Sequence, residues 1–350
     1  MNRVYWPALD GLRAIAVMIV LLAHAGSIYP RSGTIGVEIF FVMSGFLITY
    51  ILHQEFVRLG KIQIKKFYLK RILRLLPCLF LTCFLFSIGS YLMYDDMRLD
   101  TVVIVLTYSS NWARALFNYD LSSLSHTWSL SLEEQYYLIW PWAVLLIEKR
   151  LRKNVHKGGL LLCLVILSSC YRAFMVETYS PSRIYFGLDT HADGLILGSA
   201  LLYLTVDTNG RITINPSIKK LLCQIALPFS IILLGVIMAL MDWNTPWMSR
   251  IGFLIIAMAS SIIILDLVIT QSSKLKILLS VKPLVYLGQI SYGIYLLHLP
   301  LYTILDKAFP AIHGTSLMAI KITVSILCAT ISYYFVEKPF LNLKQQIVSR

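Results

Sequence analysis

Apolar runs recur from one end of the chain to the other, at residues 14–22, 39–51, 75–92, 160–170, 195–206, 221–241, 251–269, 284–302 and 317–336. Most approach the ~20 residues that a helix needs to cross a bilayer core. Loop punctuation falls in or beside the gaps, at Gly60, Asn209-Gly210, Pro216, Pro246 and Pro283. A cleaved signal peptide would be one short apolar stretch ahead of a polar chain, whereas here the hydrophobicity persists throughout. The pattern predicts an all-α fold, a polytopic integral membrane bundle of about ten transmembrane helices. It predicts a single membrane domain over residues 1–350 with no appended soluble domain. The stretch 101–117 is a weak span because it holds Ser109, Ser110, Asn111, Trp112 and Arg114. It is expected to be re-entrant or interfacial, since polar backbone at that depth must be covered by protein or water.

Composition agrees. Of 350 residues, 57% are hydrophobic and 14% charged, where a soluble chain carries roughly a quarter charged; mean hydropathy is +0.71. The net charge of +13 raises nucleic acid as a partner, but the placement of the charge excludes it. With a cytoplasmic N-terminus, Arg3, the basic residues between Arg58 and Arg74, those between Lys149 and Lys157, and Arg211, Lys219, Lys220, Lys274, Lys276, Lys282, Lys338, Lys344 and Arg350 all fall inside. Only Arg31, Arg98, Arg114, Arg183, Arg250 and Lys307 fall outside. This is the positive-inside asymmetry, and it predicts both termini in the cytoplasm. The cysteines (Cys78, Cys83, Cys163, Cys170, Cys223, Cys328) lie in apolar stretches without ligand spacing. They read as buried packing residues, with no disulfide framework and no metal site.

Ionisable residues inside spans are expensive, and so mark candidate chemistry. His24 lies near the outer end of the first helix, eleven residues after Arg13. That is about three turns, which puts both on one face ~16 Å apart. An interfacial His24 and an Arg13 paired with Asp10 is the structural alternative. Glu38, one turn inside the second helix, is expected at the depth of His24, where a carboxylate would orient the imidazole; a hydrated Glu at a helix N-terminus is the alternative. The stretch 125–137 offers Ser131 and Glu134 as a capping box opening a helix, and leaves His126, Trp128 and Glu133 for a site at the same level. Arg71 and Arg74, at i and i+3, share a face and match phosphate oxygens, although on bare composition topology-setting charge is the favoured explanation. His191, Asp193, Tyr295, His298 and Glu337 are weaker candidates, each more often structural.

Together these segments resemble the membrane acyltransferase family 3 proteins, O-acyltransferases that are mostly bacterial. The resemblance runs from Leu9 to Phe340 and rests on residues 8–13 with His24, the run 40–47 (Phe-Phe-Val-Met-Ser-Gly-Phe-Leu), Arg71-x-x-Arg74, 127–137, Asp193-Gly194-Leu195, 291–298 and 336–340. It implies transfer of an acyl group, most commonly acetyl, to a hydroxyl of a surface polysaccharide such as lipopolysaccharide or exopolysaccharide, to a lipid-linked sugar, or to a small secondary metabolite. It implies His24 as the essential histidine with Arg13 beside it, Arg71 and Arg74 as the pair that meets the acyl donor, and Glu337 as an important acid. Glu38 stands where Asp is common. Many relatives carry a further helix and an esterase-like domain, so a second transfer step is expected to use a separate partner. Location in a bacterial inner membrane follows from the same likeness.

A sugar hydroxyl needs a positioned base, and imidazole titrates nearest to neutrality. The expected mechanism has His24 as base, oriented by Glu38 or Glu133, with Asn111, Trp128 or Ser129 steadying the oxyanion. Acetyl-CoA is the expected co-substrate, its phosphates on Arg71, Arg74 and Arg13; no permanently bound cofactor is expected. Ser44 and Ser129 are weaker candidates as covalent acyl carriers. A proton-coupled transporter built on Arg13, His24, Glu38 and Asp193 is the rival class, weakened by the lack of an inverted repeat.

Overall fold

The computed structural model describes residues 5–26, 32–207, 210–240, 242 and 245–349. Arg3, Arg31, Asn209 and Arg350 lie outside the described residues. Every named element is helical, and the single antiparallel bridge Val206–Ile212 is the only extended pairing among the described residues. The helices are α1 (Pro7–His24), α2 (Gly33–Leu59), α3 (Ile64–Tyr94), α4 (Leu99–Leu106), α5 (Ser110–Phe117), α6 (Thr127–Arg150), α7 (Asn154–Met175), α8 (Pro181–Phe186), α9 (Leu188–His191) and α10 (Asp193–Thr205). They continue as α11 (Pro216–Leu240), α12 (Met248–Ile269), α13 (Lys274–Leu279), α14 (Lys282–Gln289), α15 (Ser291–Ala308) and α16 (Gly314–Leu343).

Seven of these are long and apolar enough to cross a membrane, and eight if α14 and α15, bent by 67°, make one broken span. Ten spans would need two more: α6, whose 24 residues reach about 36 Å but carry several charges, and α10, with 13 residues. The stretch 101–117 forms no spanning helix. It folds into the end of α4 and all of α5, helices of eight residues each, broken at Tyr108, whose φ is +52°.

Burial sorts the spans. The apolar windows of α2, α12 and α1 are 78%, 72% and 61% buried, whereas those of α16, α11, α7 and α3 are 17%, 22%, 28% and 33%. The outer four therefore turn large apolar side chains such as Phe84, Leu167, Phe229 and Phe335 outward, which only lipid tails can satisfy over so wide an area. The protein is a multi-pass membrane protein. Cys163 and Cys170 are on this exposed rim of α7, unlike buried Cys78 and Cys83, so the expectation of uniformly buried cysteines fails there.

The centre is held by close backbone approach. A Cβ on Gly198 of α10 would lie 2.0 Å from the Val42 carbonyl oxygen, and one on Gly45 of α2 1.9 Å from that of Leu195. Small residues at both crossings let α2 and α10 touch, as membrane helices do when dispersion and polar contacts replace the hydrophobic drive. Hydroxyls then bond across: Thr49 Oγ1 donates to Ser199 Oγ (2.7 Å), and Trp140 Nε1 donates to Thr49 Oγ1 (2.7 Å). Nearer the end of α2 a buried knot ties four helices. Glu148 of α6 contacts His53 Nδ1 (2.7 Å), the Tyr203 hydroxyl (2.8 Å) and Lys157 Nζ. Lys157, counted above as a loop charge, is thus an interior residue of α7.

Candidate active site

Helices α1, α2, α3, α6 and α15 converge on a cavity of ≈ 210 Å³. Its cations are Arg13, Arg71 and Arg74, its acids Glu133 and Glu134, and its hydroxyls include Ser44, Ser129, Tyr137 and Tyr295. The arginines differ in their freedom. Arg13 Nη1 donates to Asp10 Oδ1 (2.8 Å), and the Tyr5 hydroxyl donates to Oδ2 of the same carboxylate (2.7 Å). Arg71 is doubly bonded to Glu134, through Nη2 (2.5 Å) and Nε (3.3 Å), and its guanidinium lies 3.5 Å from the Tyr137 ring centroid. Arg74 has no hydrogen bond or ion pair within the described residues, and its side chain is exposed in the cavity wall. It is the cavity cation whose donors are all unengaged among the described residues.

Glu133 receives the Ser44 and Tyr137 hydroxyls. It does not hold His24, so the expected orienting role of Glu133 is corrected. The expected capping box also fails. α6 already begins at Thr127, Ser131 Oγ donates back to the Thr127 carbonyl (3.1 Å), and Glu134 belongs to Arg71.

Beyond one wall of the cavity lies a cluster of imidazoles. Tyr295 forms that wall with Phe40, their ring centroids 6.5 Å apart. Its hydroxyl donates to the His126 carbonyl (2.8 Å) and meets Ser129 Oγ (2.5 Å). On the far side, His298 is 4.8 Å from His126 and 5.2 Å from His24 between centroids. His126 precedes α6, contacts the Leu296 carbonyl through Nε2 (3.2 Å), and has no partner for its buried Nδ1 among the described residues.

The network fixes the protons. A carbonyl oxygen only accepts, so His24 Nδ1, 3.0 Å from the Val20 carbonyl, carries a hydrogen, as does His298 Nδ1, 2.5 Å from the Tyr295 carbonyl. Neutral His298 then presents a lone pair at Nε2, which accepts from His24 Nδ1 at 3.3 Å. These assignments leave Nε2 of His24 as an unprotonated nitrogen with no partner among the described residues, on an exposed side chain.

Glu38 is elsewhere. It is fully buried and bonds His191 Nε2. Because His191 Nδ1 donates to the Tyr185 carbonyl (2.6 Å), one proton must lie between Glu38 and His191. The expected Glu38–His24 contact is therefore corrected: the α2 residue that faces His24 is Gly33, whose Cβ would lie 3.9 Å from His24 Cε1, while Glu38 sits further along α2 and points towards α10, where a Cβ on Gly194 would be 2.9 Å from its Oε2. Beside it Asp193 pairs with Arg172 Nη1 (2.6 Å), both almost completely buried. Trp128 stacks on His191, centroids 5.7 Å apart. Asn111 is engaged by Gln135 (2.9 Å) and belongs to neither compartment. Glu337 is buried in a π-helical turn, Tyr333–Glu337, with no partner for Oε1. No group of three or more metal-ligating side chains occurs among the described residues.

Sequence comparison supplies the lineage of this arrangement. The sequence model of a family described as an acyltransferase domain matches residues 6–335. The chain belongs to this acyltransferase family. It is 32% identical to the peptidoglycan O-acetyltransferase OatA of Listeria monocytogenes, over 97% of this chain and 56% of that protein. It is 35% identical to the putative peptidoglycan O-acetyltransferase YrhL of Bacillus subtilis, over 96% and 55%, and 31% identical to the O-acetyltransferase OatA of Staphylococcus aureus, over 96% and 57%. The chain thus spans little more than half the length of these relatives. None of the three names mentions lipopolysaccharide or exopolysaccharide, the acceptors expected from the resemblance. No solved structure matches.

Proposed function

We propose that this family member transfers an acetyl group from acetyl-CoA to a hydroxyl of a cell-wall glycan, peptidoglycan being the acceptor that the relatives' names favour. The observation that carries the reading is the tautomer of His24. Its Nδ1 proton is tied to Val20 and His298, which leaves the Nε2 lone pair for an incoming hydroxyl. That nitrogen takes the acceptor's O–H proton as the oxygen attacks the thioester carbonyl. The tetrahedral intermediate then expels the thiolate of coenzyme A, which recovers the proton from Nε2. Ester and free thiol are the products, and the base is restored.

Arg74, with unused donors, would meet the donor's phosphates, while Arg13 and Arg71 add charge already balanced by Asp10 and Glu134. The basic-residue asymmetry supports cytoplasmic termini, and with that orientation this cavity opens at the end from which coenzyme A would enter. A transporter would need its intramembrane charges along an open path. Glu38, His191, Arg172 and Asp193 instead pair off in sealed positions, which favours the enzyme.

The test is thiol release and ester formation by purified protein given acetyl-CoA and glycan. Wild type is expected to turn over, and His24→Ala to lose about 10²–10⁴-fold with unaltered thermal unfolding. Near-normal turnover by a folded His24→Ala protein would remove His24 from the chemistry.

A further inference from the structure

We infer that His298 is a positioning residue for the transfer reaction: a neutral imidazole that shares the Nδ1 proton of His24 with the Val20 carbonyl, orients the ring, and accepts from it while His24 holds the acceptor's proton. The inference rests on the reading of His24 as the base.

Catalytic histidines are commonly oriented by a carboxylate, and this chain brings several acids into its interior. None takes the place. Glu38 bonds His191, Glu133 bonds Ser44 and Tyr137, and Glu134 bonds Arg71. The atoms that do face His24 Nδ1 are the Val20 carbonyl oxygen of its own helix (3.0 Å) and, as the one side-chain acceptor among the described residues, Nε2 of His298 (3.3 Å). Its tautomer is set one residue pair away, because the Tyr295 carbonyl claims the Nδ1 proton at 2.5 Å. Packing holds the ring as well: His298 is fully buried, between His126, Tyr295 and Tyr302, with centroids at 4.8, 5.6 and 5.6 Å.

The other ionisable groups around the pair come from α5, α6, α15 and α16. Arg114 of α5 donates to the Ser125 carbonyl beside His126 (3.1 Å). Lys321 of α16 lies 5.4 Å from the Tyr302 ring and pairs with Asp306 of α15 (2.7 Å). No carboxylate bonds either ring of the pair among the described residues.

A neutral orienter has a consequence that an acidic one lacks. It fixes geometry and stabilises the imidazolium through one hydrogen bond, but adds no opposite charge. A carboxylate in its place would favour the protonated base by direct attraction. Replacing the orienter should therefore separate geometry from charge.

The experiment is the pH profile of kcat/KM for acetyl transfer by full-length wild type, His298→Gln, His298→Glu and His298→Leu, with thermal unfolding and the KM for acetyl-CoA measured for each. Gln offers an amide oxygen to the His24 N–H without charge, and is expected to keep most of the rate with the acid limb unmoved. Glu is expected to shift the acid limb to higher pH. Leu is expected to lower kcat about 10–100-fold, the loss seen when the partner that orients a metal-binding histidine is removed. Donor KM should hold in all three, since His298 does not line the arginine cavity. Equal rates for Leu and Gln, or a Glu variant with an unmoved acid limb, would overturn the inference even if Leu fails to fold. A wild-type protein without transfer activity would instead overturn the proposed function, and the two failures are distinct.

Discussion

Arg74→Lys should weaken the donor while leaving the fold alone, and Arg71→Lys should do the reverse. Both residues line the same cavity from successive turns of α3, so position alone does not separate them. Their partners do. Arg74 has no bonded partner among the described residues, so its donors are available to a phosphate. Lysine retains the charge but loses the planar fork, which removes one of two charge-assisted hydrogen bonds worth about 1.5–3 kcal/mol each. At about 1.4 kcal/mol per decade, the apparent KM for acetyl-CoA should rise about 10–100-fold. Arg71 already spends its fork on Glu134 and its face on Tyr137. Deleting one partner of a fully buried pair costs about 3–5 kcal/mol. Here the loss should be smaller, because the two side chains are 20% and 13% exposed and lysine keeps one contact. Arg71→Lys is therefore expected to lower Tm with a modest change in donor KM. The assay is steady-state kinetics with acetyl-CoA and acceptor varied in turn, alongside thermal unfolding. Acceptor KM should hold in both variants. An unchanged donor KM in both Arg74→Lys and Arg74→Ala would return the pair to a topological role and refute the reasoning.

Two further outcomes follow from the fold. Cysteine at exposed Asp96 should be labelled by an impermeant reagent from outside intact cells, and cysteine at exposed Lys61 should not; the opposite pattern would invert the topology. Glu38→Gln can donate from its amide to the His191 Nε2 lone pair, so stability and turnover should both stay near wild type, whereas Glu38→Ala leaves that nitrogen unpaired and should cost about 1–3 kcal/mol in unfolding. If a folded Glu38→Gln protein were as inactive as His24→Ala, Glu38 would act on the base after all.

The bundle was legible because hydropathy reports which stretches a bilayer accepts. The candidate residues were legible because intramembrane charge is costly enough to be noticed. Partnership was not legible. Sequence distance along an antiparallel hairpin gave neither the level of Glu38 against α1, where Gly33 and not Glu38 faces His24, nor the azimuth at which each side chain leaves its helix, and the two point to different neighbours. Arg172 drew no reading because it lies just past the apolar run 160–170; only folding brings Asp193 to it. Lys157 was misassigned for a related reason: a basic residue within a cluster of loop charges carries no mark of burial until Glu148 is placed against it. Ser131 and Glu134 fit a capping pattern, yet the helix opens four residues earlier and the tertiary pair with Arg71 takes the glutamate. His298 was visible as a weak candidate sharing a face with Tyr295 but without a role, because its meaning depends on two carbonyl oxygens that no side-chain pattern records.

Under the proposed function a donor and an acceptor arriving from opposite faces share one site, and the geometry constrains how. α1 carries Arg13 and His24 about 16 Å apart along its axis, and α15 carries Tyr295 and His298 beside them. The pair of helices therefore acts as a ruler between the arginine cavity and the imidazoles. That ruler is stiff: a Cβ on Gly36 would lie 2.4 Å from the Ala16 carbonyl oxygen, and one on Gly288 of α14 1.8 Å from that of Asp10, so α1 is gripped by backbone on two sides. Large rigid-body opening would break both contacts. What stands between the compartments is instead a pair of side chains, Phe40 and Tyr295, and rotamer changes of such groups require no helix to move. Under the transferase reading, an acyl arm anchored at Arg74 can reach His24 by displacing this aromatic wall alone. Chemistry across the bilayer then needs a fixed scaffold with a small movable partition, and does not need the alternating access of a transporter.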